Sequence, residues 1–301
     1  MAGDLLQSSI EKVLKIFEMS EADLMQDICQ IRDWFRKQRH IPEIPSNSLI
    51  QHFLIMNKFS IEKTKKKLDF YYSIRTMIPE IFQNKNPKLP HMQEITKFAY
   101  CVPLPKLTED LYRVNIFKII GEPKHLNVYN VLAHQLNIIE VKCHEELSMG
   151  DVLIIDLQDV TMGHFVKVTP QHIRKANLIL ENVYSTRLKQ IHLVYPSPCI
   201  DMLVTLLKSV LKPKLFARIQ VHPSAESLLK QIPADILTKD YGGNEPSLDH
   251  FQELWKQKLH QYSDRFDKLD SMKVNEKLRP APLKNDDVLG YYGNFKSLNI
   301  D

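Results

Sequence analysis

PSPCIDMLVTLLKSVLKPKLFARIQVHP, Pro196–Pro223, is the stretch whose reading decides the fold. With Ile200 at zero and 100° per residue, Asp201, Thr205, Lys208 and Ser209 share one narrow polar face. Met202, Leu203, Val204, Leu206, Leu207, Val210 and Leu211 fill the rest, an apolar arc of roughly 200° against the ~100° stripe of an ordinary surface helix. Lys212, Lys214 and Arg218 follow at once, and then a short, mostly apolar strand, Ile219–Val221. Two readings are open. Such a helix is a piece of core with a solvated cationic rim, or it is a lid, hinged by prolines, between an apolar pocket and a membrane.

Alternation of elements around this stretch argues an α/β fold. Arg113–Ile120 reads as a strand stopped by Gly121, and a helix carrying Val131, Leu132, Leu136, Ile138 and Ile139 follows, roughly Asn127–Glu146. Val152–Leu157 is a nearly continuous apolar run like a buried parallel strand. Thr169 and Pro170 start a helix bearing Ile173, Ala176, Ile179, Leu180, Val183 and Tyr184. Ile191–Tyr195 is another strand, so the pattern predicts a mainly parallel sheet flanked by helices. A single long helix is expected over Ser247–Lys268.

The first hundred residues read as all-helical. Ser20 to Asp23 signals a helix start, Pro42 and Pro45 break the helix, and Ser46/Asn47 and Ser60 begin the next two. The expected division is a helical domain over 1–95, a sheet domain over 96–270 and a tail over 271–301. That tail ends LGYYGNFKSLNID and is expected to pack only through its aromatic and Leu residues. Lys63, Lys65, Lys66 and Lys67 scatter around the helix axis and read as a solvated face, not a nucleic-acid site.

Bulk properties narrow the class. The 301 residues are 44% hydrophobic with a formal net charge of +4, which fits one cationic patch better than a whole-body nucleic-acid binder. The four cysteines, Cys29, Cys101, Cys143 and Cys199, form no ligand spacing. The start lacks a signal peptide's pattern and no segment approaches about 18 consecutive apolar residues. A cytoplasmic protein with reduced thiols is therefore expected. The eight glycines build neither GxGxxG nor GxxxxGK[ST]. Asp156, His164 and His192 are the acid–base candidates, but no GxSxG, HExxH or paired nucleophile accompanies them, and His134, Cys143 and His144 lack metal-site spacing. No catalytic residue, metal or cofactor is expected.

In this order and spacing, several segments carry a resemblance. Ile31-Arg32-Asp33-Trp34, Phe53-Leu54 through Ile61, Tyr71-Tyr72 to Phe82, Ile154-Ile155-Asp156-Leu157 through Gly163-His164, Val168-Thr169-Pro170, Ile191-His192-Leu193 and Tyr241-Gly242-Gly243 match the CRAL-TRIO lipid-transfer family. The likeness is strongest to its alpha-tocopherol-transfer-protein-like members of insects. It covers about residues 25–270, and the end GNFKSLNID is similar as well. Ile55-Met56-Asn57 departs from the family's Arg-x-Arg, so one arginine that contacts phosphoinositide in the tocopherol carriers is Asn57 here. Thr238 stands where the family has proline.

The resemblance implies a helical subdomain followed by a mainly parallel sheet that encloses a lipid pocket gated by the Pro196–Pro223 helix. Strand alternation sets Leu153 and Ile155 toward such a cavity and Ile154 behind it. By alignment, Leu136, Val168, Ala176, Ile179, Leu180 and Tyr184 continue the wall, and Ile200, Leu203, Val204, Leu207 and Leu211 face inward from the gate. Lys214, Arg218, Lys189 and the nearby Arg187 align with phosphoinositide contacts, and Lys58 is placed to compensate for Asn57. The implied protein is a monomeric cytoplasmic carrier of one small hydrophobic lipid (tocopherol, retinoid, carotenoid or similar) that acts peripherally at phosphoinositide-containing membranes and binds no nucleic acid. The alternative is a phosphoinositide or protein interaction module that transfers nothing.

Overall fold

The computed structural model describes residues 5–281. The tail LGYYGNFKSLNID lies outside them, and with it the expectation for its packing.

Helices account for the chain up to Ile95. Glu21–Arg36 starts at a reciprocal cap in which the Ser20 hydroxyl accepts from the Asp23 N–H and the Asp23 carboxylate accepts from the Ser20 N–H. Ser46 caps Asn47–Met56 through the Leu49 N–H at 3.2 Å. Ser60 precedes Ile61–Met77 without a side-chain cap, contrary to the sequence reading. Leu24, Ile28, Ile31 and Phe35 of the first of these helices meet Ile50, Phe53, Leu68 and Tyr71 of the next two in one core. The lysine run is not wholly solvated. Lys67 donates to the Glu181 carbonyl at 3.0 Å and to Asn182 at 3.3 Å, and burial lowers its pKa to about 8.

The sheet holds five strands in sequential order: β1 (Ala99–Leu107), β2 (Tyr112–Ile119), β3 (Gly150–Asp156), β4 (Leu188–Val194) and β5 (Ile219–His222). β1 pairs antiparallel with β2 and the remaining pairs are parallel. β1 escaped the sequence reading because Pro103 and Pro105 interrupt it. Proline cannot donate to a ladder, and an edge strand with a register shift between Pro103 and Leu107 is where a sheet tolerates it. The expected closing helix is two, Leu248–Gln261 and Ser263–Ser271, parted at Tyr262.

The two faces of the sheet pack differently. On the back, Val114, Ile116, Val152 and Ile154 are buried against Phe251, Trp255 and Leu259 of the Leu248–Gln261 helix. On the front, Asn115, Phe117, Leu153 and Ile155 are only half-buried. Crossover helices pass over that face: Pro170–Leu178, which continues into a π-helical turn over Ile179–Val183, and then Ile200–Val210.

Buried charge ties the helical half to the sheet half. Glu140, on the Val128–Glu145 helix, accepts from Tyr71 at 2.6 Å, from Arg75 at 3.2 Å and from Arg265 at 2.9 Å. Burial pushes its carboxyl pKa up, but the His144 hydrogen bond and the charges of Arg75 and Arg265 pull it well below the ordinary carboxylate range. A lowered folded-state pKa stabilises fully above the ordinary value of about 4.5 and progressively less as pH falls toward the folded value. Urea-unfolding midpoints are therefore expected to fall as pH drops below about 4.5. Glu140→Gln should cost about 3–5 kcal/mol near neutral pH, because it leaves two arginines facing a neutral partner, and should flatten the acid limb.

Candidate functional site

Ile200–Val210 forms a helix with no side-chain cap at Cys199 and no buried residue, although most of its circumference is apolar. Met202 is 49% exposed. The core reading of this helix is thereby excluded. Ile200, Leu203, Val204 and Leu207 lean on Leu157, Ile191 and Leu193 of the front face, and Pro213 opens the short turn Pro213–Phe216 that leads into β5. An apolar helix that covers without being covered is suited to moving.

Beneath it lies a cavity of about 310 Å³. β2 and β3 supply Phe117, Leu153 and Ile155, and β4 and β5 supply Ile191 and Ile219. Val131, Leu132 and Gln135 come from the Val128–Glu145 helix, and Leu203, Leu207, Leu211 and Leu215 from the gate segment. Val168, Ala176 and Leu180 close the side. Of the expected wall residues, Leu153, Ile155, Val168, Ala176, Leu180, Leu203, Leu207 and Leu211 border this space. Ile200 and Val204 sit beside it, packed under the gate.

Leu136, Ile179 and Tyr184 lie elsewhere, in the core shared with the amino-terminal helices. Ile173, Ala176, Asn177 and Leu180 recur at ordinary helical spacing on the cavity side, whereas Ile179 lies about 100° round from Leu180 and, like Val183, is fully buried in the other core. Tyr184 meets Tyr71 edge-on at 5.8 Å between ring centroids. Leu136 borders a separate cavity of about 30 Å³ beside Arg75 and Tyr184. Phe117, Ile191 and Leu188 were missed as wall residues. A register aligning Phe117 with Ile155 and Leu153 with Ile191 puts them on the front face, and pairing partners are invisible in a single strand's sequence.

The acid–base candidates have structural partners. Asp156 accepts from Tyr241 Oη at 2.8 Å, from the Gln158 N–H at 2.9 Å and from Lys118 at 3.1 Å. His164 Nδ1 accepts from the Thr161 N–H at 3.1 Å, and burial lowers the ring's pKa. His192 is on the back face, its Nδ1 2.8 Å from His222 Nε2, with its pKa lowered to about 4 by burial and by that neighbour. Among the described residues, no group of three or more His, Cys, Asp or Glu side chains could hold a metal, and no helix is long and apolar enough to cross a membrane.

Hydrogen bonds tie Asn57 and Arg218 to the segment 185–189 that carries Arg187 and Lys189. Asn57, which replaces the usual arginine, donates to the Phe53 carbonyl at 2.8 Å and to Ser185 Oγ at 3.1 Å, so it closes a helix and joins the two halves. That bond holds Lys58 close to the segment carrying Arg187 and Lys189. Arg218 donates to the Leu188 carbonyl between those two residues. Lys189 pairs with Asp110 and lies 4.7 Å from the Tyr112 ring centroid. Arg187 keeps one buried guanidinium nitrogen without a partner among the described residues. Lys58 and Lys214 are exposed. Met162, 47% exposed, and Val166, 74% exposed, stand on the helix Met162–Lys167, whose His164 and Phe165 border the cavity.

Comparison with known proteins bears on this arrangement. Residues 111–243 match the model of the CRAL/TRIO domain, and residues 20–92 that of the Pinta-like UBA domain. The human alpha-tocopherol transfer protein-like protein is 26% identical over 271 residues, 88% of this chain and 76% of that one. Rat clavesin-2 is 27% identical over 299 residues, 94% of this chain and 90% of its own. The crystal structure of Sfh5 aligns with a TM-score of 0.45 at 10% identity, covering 86% of this chain and all of that one.

Local opening of the Ile200–Val210 helix has a direct readout. Amide hydrogen exchange followed by mass spectrometry should find Ile200–Val210 exchanging at least about tenfold faster than β3, as expected for a segment with few buried contacts. Equal protection of the two would remove the gate.

Proposed function

Because the chain belongs to the CRAL-TRIO family, we propose that it is a carrier that takes up one small hydrophobic lipid beneath the Ile200–Val210 gate and exchanges it at anionic, phosphoinositide-containing membranes. The observation that carries this reading is the gate itself, an apolar helix without a buried residue above a cavity of about 310 Å³.

Energetics explain why such a protein needs both a gate and a membrane. Burying about 400 Å² of lipid is worth on the order of 10 kcal/mol relative to water, so unaided release into water is slow. Swinging the gate into water would expose Leu203, Leu207 and Leu211 at up to ~1.5–3 kcal/mol each. Against a bilayer those side chains exchange one apolar environment for another, and opening becomes cheap. Met162, Val166 and Met202 are already exposed to meet it.

Cations set the docking. Each basic group near an anionic surface contributes roughly 1 kcal/mol, and Lys58, Arg187, Lys189, Lys214 and Arg218 would act together. Asn57 spends its side chain on the Phe53 carbonyl and Ser185, so it adds no charge to the patch and headgroup selectivity would rest on its neighbours. The carrier performs no chemistry on its cargo in this reading, and it works as a monomer.

Two measurements test the reading. Native mass spectrometry of gently purified protein should find one lipid per chain, whereas persistent emptiness would favour an interaction module. Lys58→Glu with Lys214→Glu, both at exposed positions, should weaken binding to vesicles containing phosphoinositide at least about tenfold and leave lipid loading unchanged. Unaltered vesicle binding would take the cationic patch out of the mechanism.

A further inference from the structure

The gate segment is strung between β4 and β5, and a pair of histidines joins these two strands on the back of the sheet. His192 of β4 and His222, the last residue of β5, are both buried. His192 Nδ1 lies 2.8 Å from His222 Nε2, with the ring centroids 4.9 Å apart. His222 Nδ1 in turn lies 3.0 Å from Ser227 Oγ on the helix Ala225–Leu229. The series Ser227, His222, His192 thus fastens an edge strand whose ladder runs to β4 alone. The other face of β5 belongs to the site. Ile219 borders the large cavity, and the turn Pro213–Phe216 leads from the gate into this strand.

The arrangement suits neutral rings. One hydrogen fills the contact between Nδ1 and Nε2, so one ring donates and the other accepts. With His192 the donor, its Nε2 is bare, and this nitrogen is buried with no partner among the described residues. Any added proton puts a hydrogen there. A protonated His192 carries N–H at both positions, and a protonated His222 donates from Nε2 and forces the His192 hydrogen round to Nε2. Either way a buried N–H is left unmet, and two protonated rings would set N–H against N–H.

No carboxylate offsets the charge. The neighbouring elements carry Lys118 of β2, Asp156 of β3, Tyr195 after β4, Arg218 before β5, Glu226 and Lys230 at the Ala225–Leu229 helix, and Tyr241. Among the described residues none of these is bonded to either ring. Asp156 is held by Tyr241 at 2.8 Å and Lys118 at 3.1 Å, Arg218 donates to the Leu188 carbonyl, and Glu226 is exposed. Burial lowers the pKa of both rings, that of His192 to about 4 with His222 beside it.

We propose that the His192–His222 bridge is a proton-released clasp on the gate: neutral, it pins β5 to β4 and fixes the carboxyl end of the gate segment, and protons taken up from an acidic medium free β5 and loosen the gate. This rests on the reading of Ile200–Val210 as a gate and adds a control to it. A lowered closed-state pKa favours the closed form fully above the ordinary 6.5 and ever less as pH falls toward about 4. A ring that returns to 6.5 on opening favours the open form about 30-fold more at pH 5 than at pH 7.5.

Amide exchange of the full chain at pH 7.5 and pH 5, each expressed as protection against the intrinsic rate at that pH, tests the clasp. Protection over 200–222 should fall at least about tenfold at pH 5 while β3 stays within about twofold, which separates release of the edge from general unfolding. His192→Asn with His222→Gln sets amide groups where Nδ1 and Nε2 stood and removes both titrations. It should match the parent at pH 7.5 and lose the drop at pH 5, which also separates the bridge from His164 and His172 at the cavity. Histidine-selective NMR of the parent needs no variant: both rings should be neutral while β5 is protected and gain protons as that protection is lost. Equal gate protection at both pH values, a drop that survives the double substitution, or a ring titrating near 6.5 with β5 still protected would overturn the clasp. Native mass spectrometry at neutral pH reads the carrier separately, since one lipid per chain keeps that reading whatever becomes of the clasp.

Discussion

The front of the sheet is left unfilled, and the rest of the structure follows from that. A protein interior ordinarily packs to crystal density, and side chains that fail to meet lose both dispersion and burial. Here β3 buries Val152 and Ile154 in the core that also holds Phe251, Trp255 and Leu259, and turns Leu153 and Ile155 to an open space. The same strand therefore supplies core on one side and a binding wall on the other. Stability has to come from the back face and the helical half, since the front cannot supply it without closing the cavity.

This division explains where the buried polar bonds are. Glu140 with Arg75 and Arg265 and Asn57 with Ser185 join the helical half to the rest of the chain, Arg113 pairs with Glu146 at 2.7 Å, and none of these bonds involves a residue of Ile200–Val210. The gate segment is held far more lightly. It hangs between Pro196 and β5, a strand of four residues that pairs only with β4. Local opening costs least where buried contacts are fewest, so rigidity and mobility are sorted along the chain.

The cationic patch shows the same economy. Arg218 is anchored to the Leu188 carbonyl and Asn57 to Ser185, so residues from three distant parts of the chain meet around one short segment, 185–189. The main-chain carbonyl that anchors Arg218 fixes its position without neutralising its charge. Lys189 is the exception, because Asp110 pairs with it.

Sequence alone determined the alternation of strands and helices after Tyr112, the caps at Ser20, Ser46 and Thr169, and the two-sidedness of β3, because these depend on residues only a few positions apart. It also marked Ile200–Leu211 as too apolar for a surface helix, but could not say whether protein covers it. The tertiary structure decided that, since burial depends on what lies opposite. It likewise decided the places of Leu136, Ile179 and Tyr184, which one-dimensional alignment put in the wall and the docked amino-terminal helices put in the core. β1 was hidden because its prolines are acceptable only at a sheet edge, and an edge is a property of the whole sheet. The grouping of Asn115, Lys142, Asp151 and Thr186 around one cavity of about 50 Å³ was beyond the sequence for the same reason, because they stand on separate elements that only packing brings together.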